Sequence, residues 1–252
     1  MVSIDTTIEH LQDKEISLID DLSETYSAFQ ASDAIYIQRM FFLLHESFLQ
    51  YYLSPQNNQM TQLQVFLGGI IFRTVDLSQG ILQGLVDKNI HVAYSSIRGL
   101  IETVAVLNYV KKNKDYLSTA IKGQRDDPDT DLVNVLTQVD HLDRRLDGIQ
   151  DTYDYLSNFI HPNPASIHSL YAPETDGQTF KASYPEAELS DGEIKTIVED
   201  LIRLLETTYD DLAELYSYGR FVDAYHAGSY GLTIYHTKDG LYTTAVMRYL
   251  VS

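Results

Sequence analysis

Apolar and polar positions along this chain follow the three-to-four-residue period of α-helices, and the pattern changes character in two places. One stretch stands apart, IHVAYSSIRGLIETVAVLNY from Ile90 to Tyr109. Ile97, Leu100, Ile101, Val104, Ala105 and Asn108 recur at helical spacing. The only permanently ionised side chains are Arg98 and Glu102, one turn apart and able to pair. A helix with so little charge is buried on most sides, and buried charge must be paired. The pattern predicts a central helix with an Arg98–Glu102 pair enclosed in the fold.

The other elements read in order. An amphipathic helix is expected from about Asp5 to Phe29, with Ile8, Leu11, Leu18, Leu22, Tyr26 and Phe29 inward. A second runs from about Asp33 to Leu53 with Ile37, Met40, Phe41, Leu44, Phe48 and Tyr51 inward, stopped by Ser54-Pro55. Thr61 and Gln64 form a capping box for a third helix reaching Val86. Asp87-Lys88-Asn89 is a short polar link into the central helix. A brief helix near Asp115 to Lys122 and an acidic loop follow. Leu132, Leu136, Val139, Leu142, Leu146 and Ile149 then space a helix that continues or restarts through Tyr153 to His161, where Pro162 ends it.

Residues 162–189 carry four prolines and an Asp176-Gly177 turn signal. Ile167 to Tyr171 and Thr179 to Tyr184 read either as short strands or as an irregular loop over the bundle. Ser190-Asp-Gly-Glu193 opens a long helix with Ile194, Ile197, Val198, Leu201, Leu205, Leu212 and Leu215 inward, closing near Gly219. Near the C-terminus Leu232, Ile234 and His236 alternate, Thr237 to Gly240 turn, and Leu241 to Ala245 alternate again, the signature of a β-hairpin. The expected fold is all-α, an up-down bundle of six or seven helices over 1–225 with 162–189 as an irregular insertion, and a hairpin or tail at 226–252.

Composition narrows the chemistry. With 252 residues and no cysteine, the chain can bury a large core and has no disulfide, thiolate metal site or cysteine nucleophile. The longest apolar run, Val65 to Phe72, falls far short of a membrane span, and Asp5 and Glu9 precede any apolar run, against a signal peptide. A cytoplasmic protein without membrane contact is expected. The net charge is −18, which repels phosphate backbones at ordinary ionic strength. The same acidic, lysine-poor balance suits a high-salt cytoplasm, where screening within about 3 Å would remove that argument. Both explanations of the acidic surface stay open.

The short link at 87–89 places the third and fourth helices antiparallel, so that residues whose numbers sum to about 175 face each other. Arg73 is then expected beside Glu102 and Asp76 beside Arg98, a polar seam flanked by Gly69, Gly80 and Gly84. Two readings fit it: a buried charge network fixing helix register, or the floor of a pocket for a polar or anionic ligand. The stretch YDYLSNFIHP offers a second set, with Asp154, Ser157, Asn158 and His161 on one helical face. His161 is either a helix terminator favoured by the dipole or a general acid/base. A Ser-His-Asp triad does not fit, since neighbours on one helix leave the serine no open approach with an oxyanion hole.

Arg98-x3-Glu102 followed by Tyr155-Leu-Ser157-x3-His161-Pro162 resembles a family of helical microbial proteins similar to the HEPN superfamily. The resemblance covers roughly residues 60–165. It implies a helical bundle, often dimeric, acting on or binding RNA or a nucleotide. On that reading Arg98, Glu102 and His161 form a catalytic set, with Arg73, Asp76, Ser157 and Asn158 contacting the ligand. The nucleases of that superfamily carry an arginine four to six residues before a histidine on a late helix, and none precedes His161. Arg39 and His45 have the spacing on an early helix. The alternative is a non-catalytic interaction or dimerisation protein in which the same residues are structural. No cofactor or metal is expected: Asp127 to Asp131 lacks the glycine and closing glutamate of a calcium loop, and there is no Glu-x-x-His pair or glycine-rich phosphate loop. The 19 tyrosines, able to stack on bases, are spread over the whole chain.

Overall fold

The computed structural model describes residues 4–53, 62–120, 133–160, 171–173, 180–182, 189–215, 231–237 and 240–246. It is an all-α multi-helix bundle. Helices α1 (Ile4–Thr25), α2 (Ala31–Leu53), α3 (Gln62–Val86) and α4 (Ile90–Lys112) follow one another, and a 3-10 turn at Lys114–Tyr116 leads on. Then come α5 (Val135–Asp143), α6 (Ile149–Ile160) and α7 (Asp191–Leu215). Two antiparallel hairpins complete the elements: β1 (Tyr171–Pro173) with β2 (Phe180–Ala182), and β3 (Gly231–Thr237) with β4 (Gly240–Val246). The chain divides into two units, Met1–Tyr209 and Asp210–Ser252. The first holds α1 to α6 and most of α7; the second holds the end of α7 and the β3–β4 hairpin. The division falls inside α7, earlier than the change of sequence pattern at 226.

Helix α4 is central to the first unit. It packs against α3, α5 and α6, and Ile97, Leu100, Ile101, Val104, Ala105 and Asn108 are all buried. The α3–α4 turn is tight because Lys88 adopts a left-handed conformation, φ 53°. The Asn89 amide then reaches back to the Gly84 carbonyl at 2.7 Å, closing α3 in the Schellman manner. Asn89 in turn caps α4, its side chain accepting from the Val92 amide. Past the turn the helices lie close: Cβ atoms added at Gly80 and Gly84 would come within 2.6 Å of the Ser96 hydroxyl and the Ala93 backbone nitrogen respectively. Small residues here let the two backbones meet.

The helical segment expected over 132–161 is two helices. Gly148 at φ 84° turns the chain between α5 and α6, a conformation that costs glycine almost nothing. The expectation that Leu136 faces inward does not hold: it is 50% exposed, while Val139, Leu142 and Ile149 are fully buried. Helix α1 ends at Thr25 rather than continuing to Phe29, which is nonetheless buried. Helices α3 and α4 are each long and apolar enough to cross a membrane by length and composition, although half or more of each apolar window is buried inside the bundle.

A polar cluster joins α1, α2 and α3. His45 Nε2 lies 2.9 Å and 3.0 Å from the two carboxylate oxygens of Glu15, and the Gln79 amide donates to Glu15 Oε1 at 3.0 Å. All three residues are buried. The Arg39-to-His45 spacing noted in the sequence therefore ends on a histidine sealed inside the bundle.

Candidate functional site

Helix α4 presents Arg98 and Glu102 where α6 packs against it, and Tyr153 of α6 stands between them. Arg98 Nη2 donates to the Tyr153 hydroxyl at 3.0 Å, and that hydroxyl donates to Glu102 Oε1 at 3.0 Å. Arg98 Nη2 and Glu102 Oε1 are 3.4 Å apart, and the guanidinium carbon sits 5.0 Å from the Tyr153 ring centroid, within cation–π range. The result is a closed triangle. Tyr153 is buried, whereas the side chains of Arg98 and Glu102 keep 21% and 29% of their exposure. Desolvation holds the Tyr153 hydroxyl above its ordinary pKa, the Arg98 hydrogen bond opposes this, and Glu102 adds to it. Tyr153 is thus a neutral donor that ties α6 to α4.

The seam between α3 and α4 is not the one the sequence suggests. Arg73 donates through Nε to Thr103 Oγ1 at 2.9 Å, not to Glu102, and Thr103 donates to the Gly99 carbonyl at 2.7 Å. Among the described residues no ion pair joins Asp76 to Arg98, and both Arg73 and Asp76 are exposed. The reason is register. Gly80 faces Ser96, Gly84 faces Ala93 and Leu77 faces Gly99, one or two positions beyond the pairing read from the link. One residue turns a helix by about 100°, enough to carry Glu102 away from α3 and onto α6.

Of the remaining sequence candidates, Ser157 and Asn158 form no part of the triangle. Ser157 spends its hydroxyl on the Tyr153 carbonyl at 2.8 Å, within its own helix, and Asn158 is exposed. His161 lies outside the described residues. Among the described residues no group of three or more His, Asp or Glu side chains is placed to hold a metal ion. Tyr153 is the participant that sequence reasoning passed over. Its signal was there: it shares the buried stripe Ile149, Tyr153, Leu156, and a tyrosine on an apolar stripe needs a partner for its hydroxyl.

Replacing Tyr153 with phenylalanine keeps the ring and removes the bridge. Glu102 then loses its donor in a half-dry setting, and the expected loss is about 1–2 kcal/mol, read from urea midpoints with circular dichroism unchanged. A midpoint equal to wild type would show that water replaces the hydroxyl at no cost.

Comparison of the chain with protein-family models, with curated proteins and with solved structures finds no match.

Proposed function

We propose that the protein is a non-catalytic helical interaction module of the cytoplasm that pairs with a second copy of itself through α3. The observation that carries this reading is the outer stripe of that helix. Val65 is 51% exposed and Phe72 44% exposed, and exposed Gly69 lies between them with open space where a side chain would stand. An interior helical glycine costs about 1 kcal/mol relative to alanine, and an apolar stripe with a small residue at its middle suits close approach of a second helix. Charge favours the same face. Arg73 and Asp76 are the only ionised side chains in α3 and they cancel, in a chain of net charge −18. Two copies meeting there avoid the like-charge repulsion that the rest of the surface imposes. The resemblance to often dimeric HEPN-type bundles is consistent with this.

Light scattering on the purified full chain tests it, at ordinary and at high salt. Wild type is expected at twice the chain mass, and Val65→Lys, which places a charge on the apolar stripe, at the single-chain mass with unchanged helicity. Wild type that stays monomeric at high concentration would overturn the pairing. So would wild type that floats with phospholipid vesicles without dimerising, because the stripe would then be a membrane surface.

A second reading, an RNA- or nucleotide-acting HEPN-like module, has one observation in its favour. Arg98 Nε is buried and has no hydrogen-bond partner among the described residues, a donor available to a ligand oxygen. It ranks second because a phosphate would have to open the Tyr153 contact to reach it.

A further inference from the structure

One turn of α4 before Arg98 lies a groove of about 640 Å³, open to solvent, between α4, α6 and the start of α7. Its wall is aromatic. Tyr94 and Tyr155 meet edge to face at 6.1 Å between ring centroids, and Phe159 packs behind both at 5.2 Å and 4.9 Å. Tyr155 is half exposed. Around these rings stand Asp151, Glu193 and Asp200, and among the described residues no lysine, arginine or histidine lines the groove.

Asp200 is the side chain with unfilled capacity. Nine-tenths of it is buried, with 10% exposed. Its Oδ1 takes a single long hydrogen bond, 3.3 Å, from Arg203 Nη1, while Arg203 Nη2 is committed to the Asp147 carbonyl. Asp200 Oδ2 accepts no hydrogen bond among the described residues. Burial holds the Asp200 carboxyl above its ordinary pKa, and the ion pair with Arg203 offsets this only in part. Glu193 is partly occupied, since its Oε2 accepts from the Ser190 amide and hydroxyl at the mouth of α7. Asp151 is exposed.

A buried carboxylate with one oxygen still without a donor among the described residues, two further carboxylates at solvent and an aromatic wall define a ligand by chemistry. The described residues hold no metal-ligand cluster, and the groove is far larger than an ion. Aromatic faces attract alkylammonium groups as well as packing their methylenes. We propose that this groove binds a linear aliphatic polyammonium cation, with one ammonium on Asp200, the alkyl chain along Tyr94 and Tyr155, and a second ammonium towards Asp151 and Glu193. This goes beyond the pairing through α3 and does not depend on it.

Isothermal titration of spermidine into the full chain tests the assignment, in buffer of about 0.15 M salt, where diffuse counterion attraction is largely screened. One saturable site per chain is expected, not displaced by equimolar magnesium. Asp200→Asn should weaken binding by about tenfold or more, and Tyr155→Ala, at a half-exposed position, by several-fold. Asp140→Asn, which disrupts an exposed ion pair with Arg144 outside the groove, should leave it unchanged. If Asp200→Asn does not fold, Tyr155→Ala decides alone. No saturable site, displacement by magnesium, or equal losses in Tyr155→Ala and Asp140→Asn would overturn the proposal in favour of a diffuse ion atmosphere.

Discussion

Glu15→Ala is expected to lower stability by about 3–5 kcal/mol, because it strands two buried hydrogen-bonding groups at about 1–3 kcal/mol each and opens a cavity. Both carboxylate oxygens of Glu15 lie within 3.0 Å of His45 Nε2, and Oε1 also accepts from Gln79. Removing the carboxylate leaves a buried imidazole and a buried amide facing a cavity that three helices line. Neither group reaches water, since Glu15, His45 and Gln79 are each under 5% exposed. For a chain of this size the melting temperature should fall on the order of 10 °C. Glu15→Gln keeps an acceptor for both neighbours and should lose less than half as much. A Glu15→Ala midpoint within experimental error of wild type would mean that the cluster is hydrated and that it does not organise α1, α2 and α3.

The second large effect is expected at the α3–α4 crossing. In Gly84→Ala the new methyl carbon would sit 2.6 Å from the Ala93 backbone nitrogen and 3.0 Å from its Cα. Backbone cannot rotate aside as a side chain can, so the helices must separate. Overpacking of this kind costs about 1–3 kcal/mol, against which alanine's better helix propensity returns up to about 1 kcal/mol. Gly80→Ala meets only the Ser96 hydroxyl and its Cβ, which can change rotamer, and should cost less. Gly69→Ala meets nothing within 4 Å and should stabilise the fold. Urea midpoints in the Val65→Lys background, where association does not enter, should rank Gly69→Ala highest and Gly84→Ala lowest. Gly84→Ala as stable as its parent would contradict the close crossing.

The bundle was legible because helical periodicity and caps are local. The apolar stripe of α4, the Ser190–Glu193 box and the stop at Asp87 to Asn89 each depend on residues within a turn or two of one another. The seam was not legible to the same degree. Which residue of α3 faces which of α4 depends on how Lys88 and Asn89 close the turn, and an offset of one position redirects a side chain by about 100°. That offset sends Arg73 to Thr103 and turns Glu102 towards Tyr153. The pairing of Arg98 with Glu102 survived because both sit on one helix, where the i,i+4 rule applies without knowledge of neighbours. Glu15 and His45 stand thirty residues apart on different helices, and nothing local links them. Asp200 escaped for a related reason: it follows Glu199 on a helix with many exposed acids, and its burial is a tertiary effect that no local pattern records.

Arg98 and its neighbours are proposed to hold the bundle together and to turn nothing over. Incubating the purified wild type with a mixed cellular RNA pool, beside Arg98→Ala and His161→Asn, tests it most directly, with salt matched across all three and set at both low and high values. The RNA length distribution is expected to stay that of the protein-free control in every case, with Arg98→Ala distinguished only by a lower melting temperature. Shortening of the RNA by wild type, lost in His161→Asn while that variant keeps its melting temperature, would contradict it and make these residues a ribonuclease site.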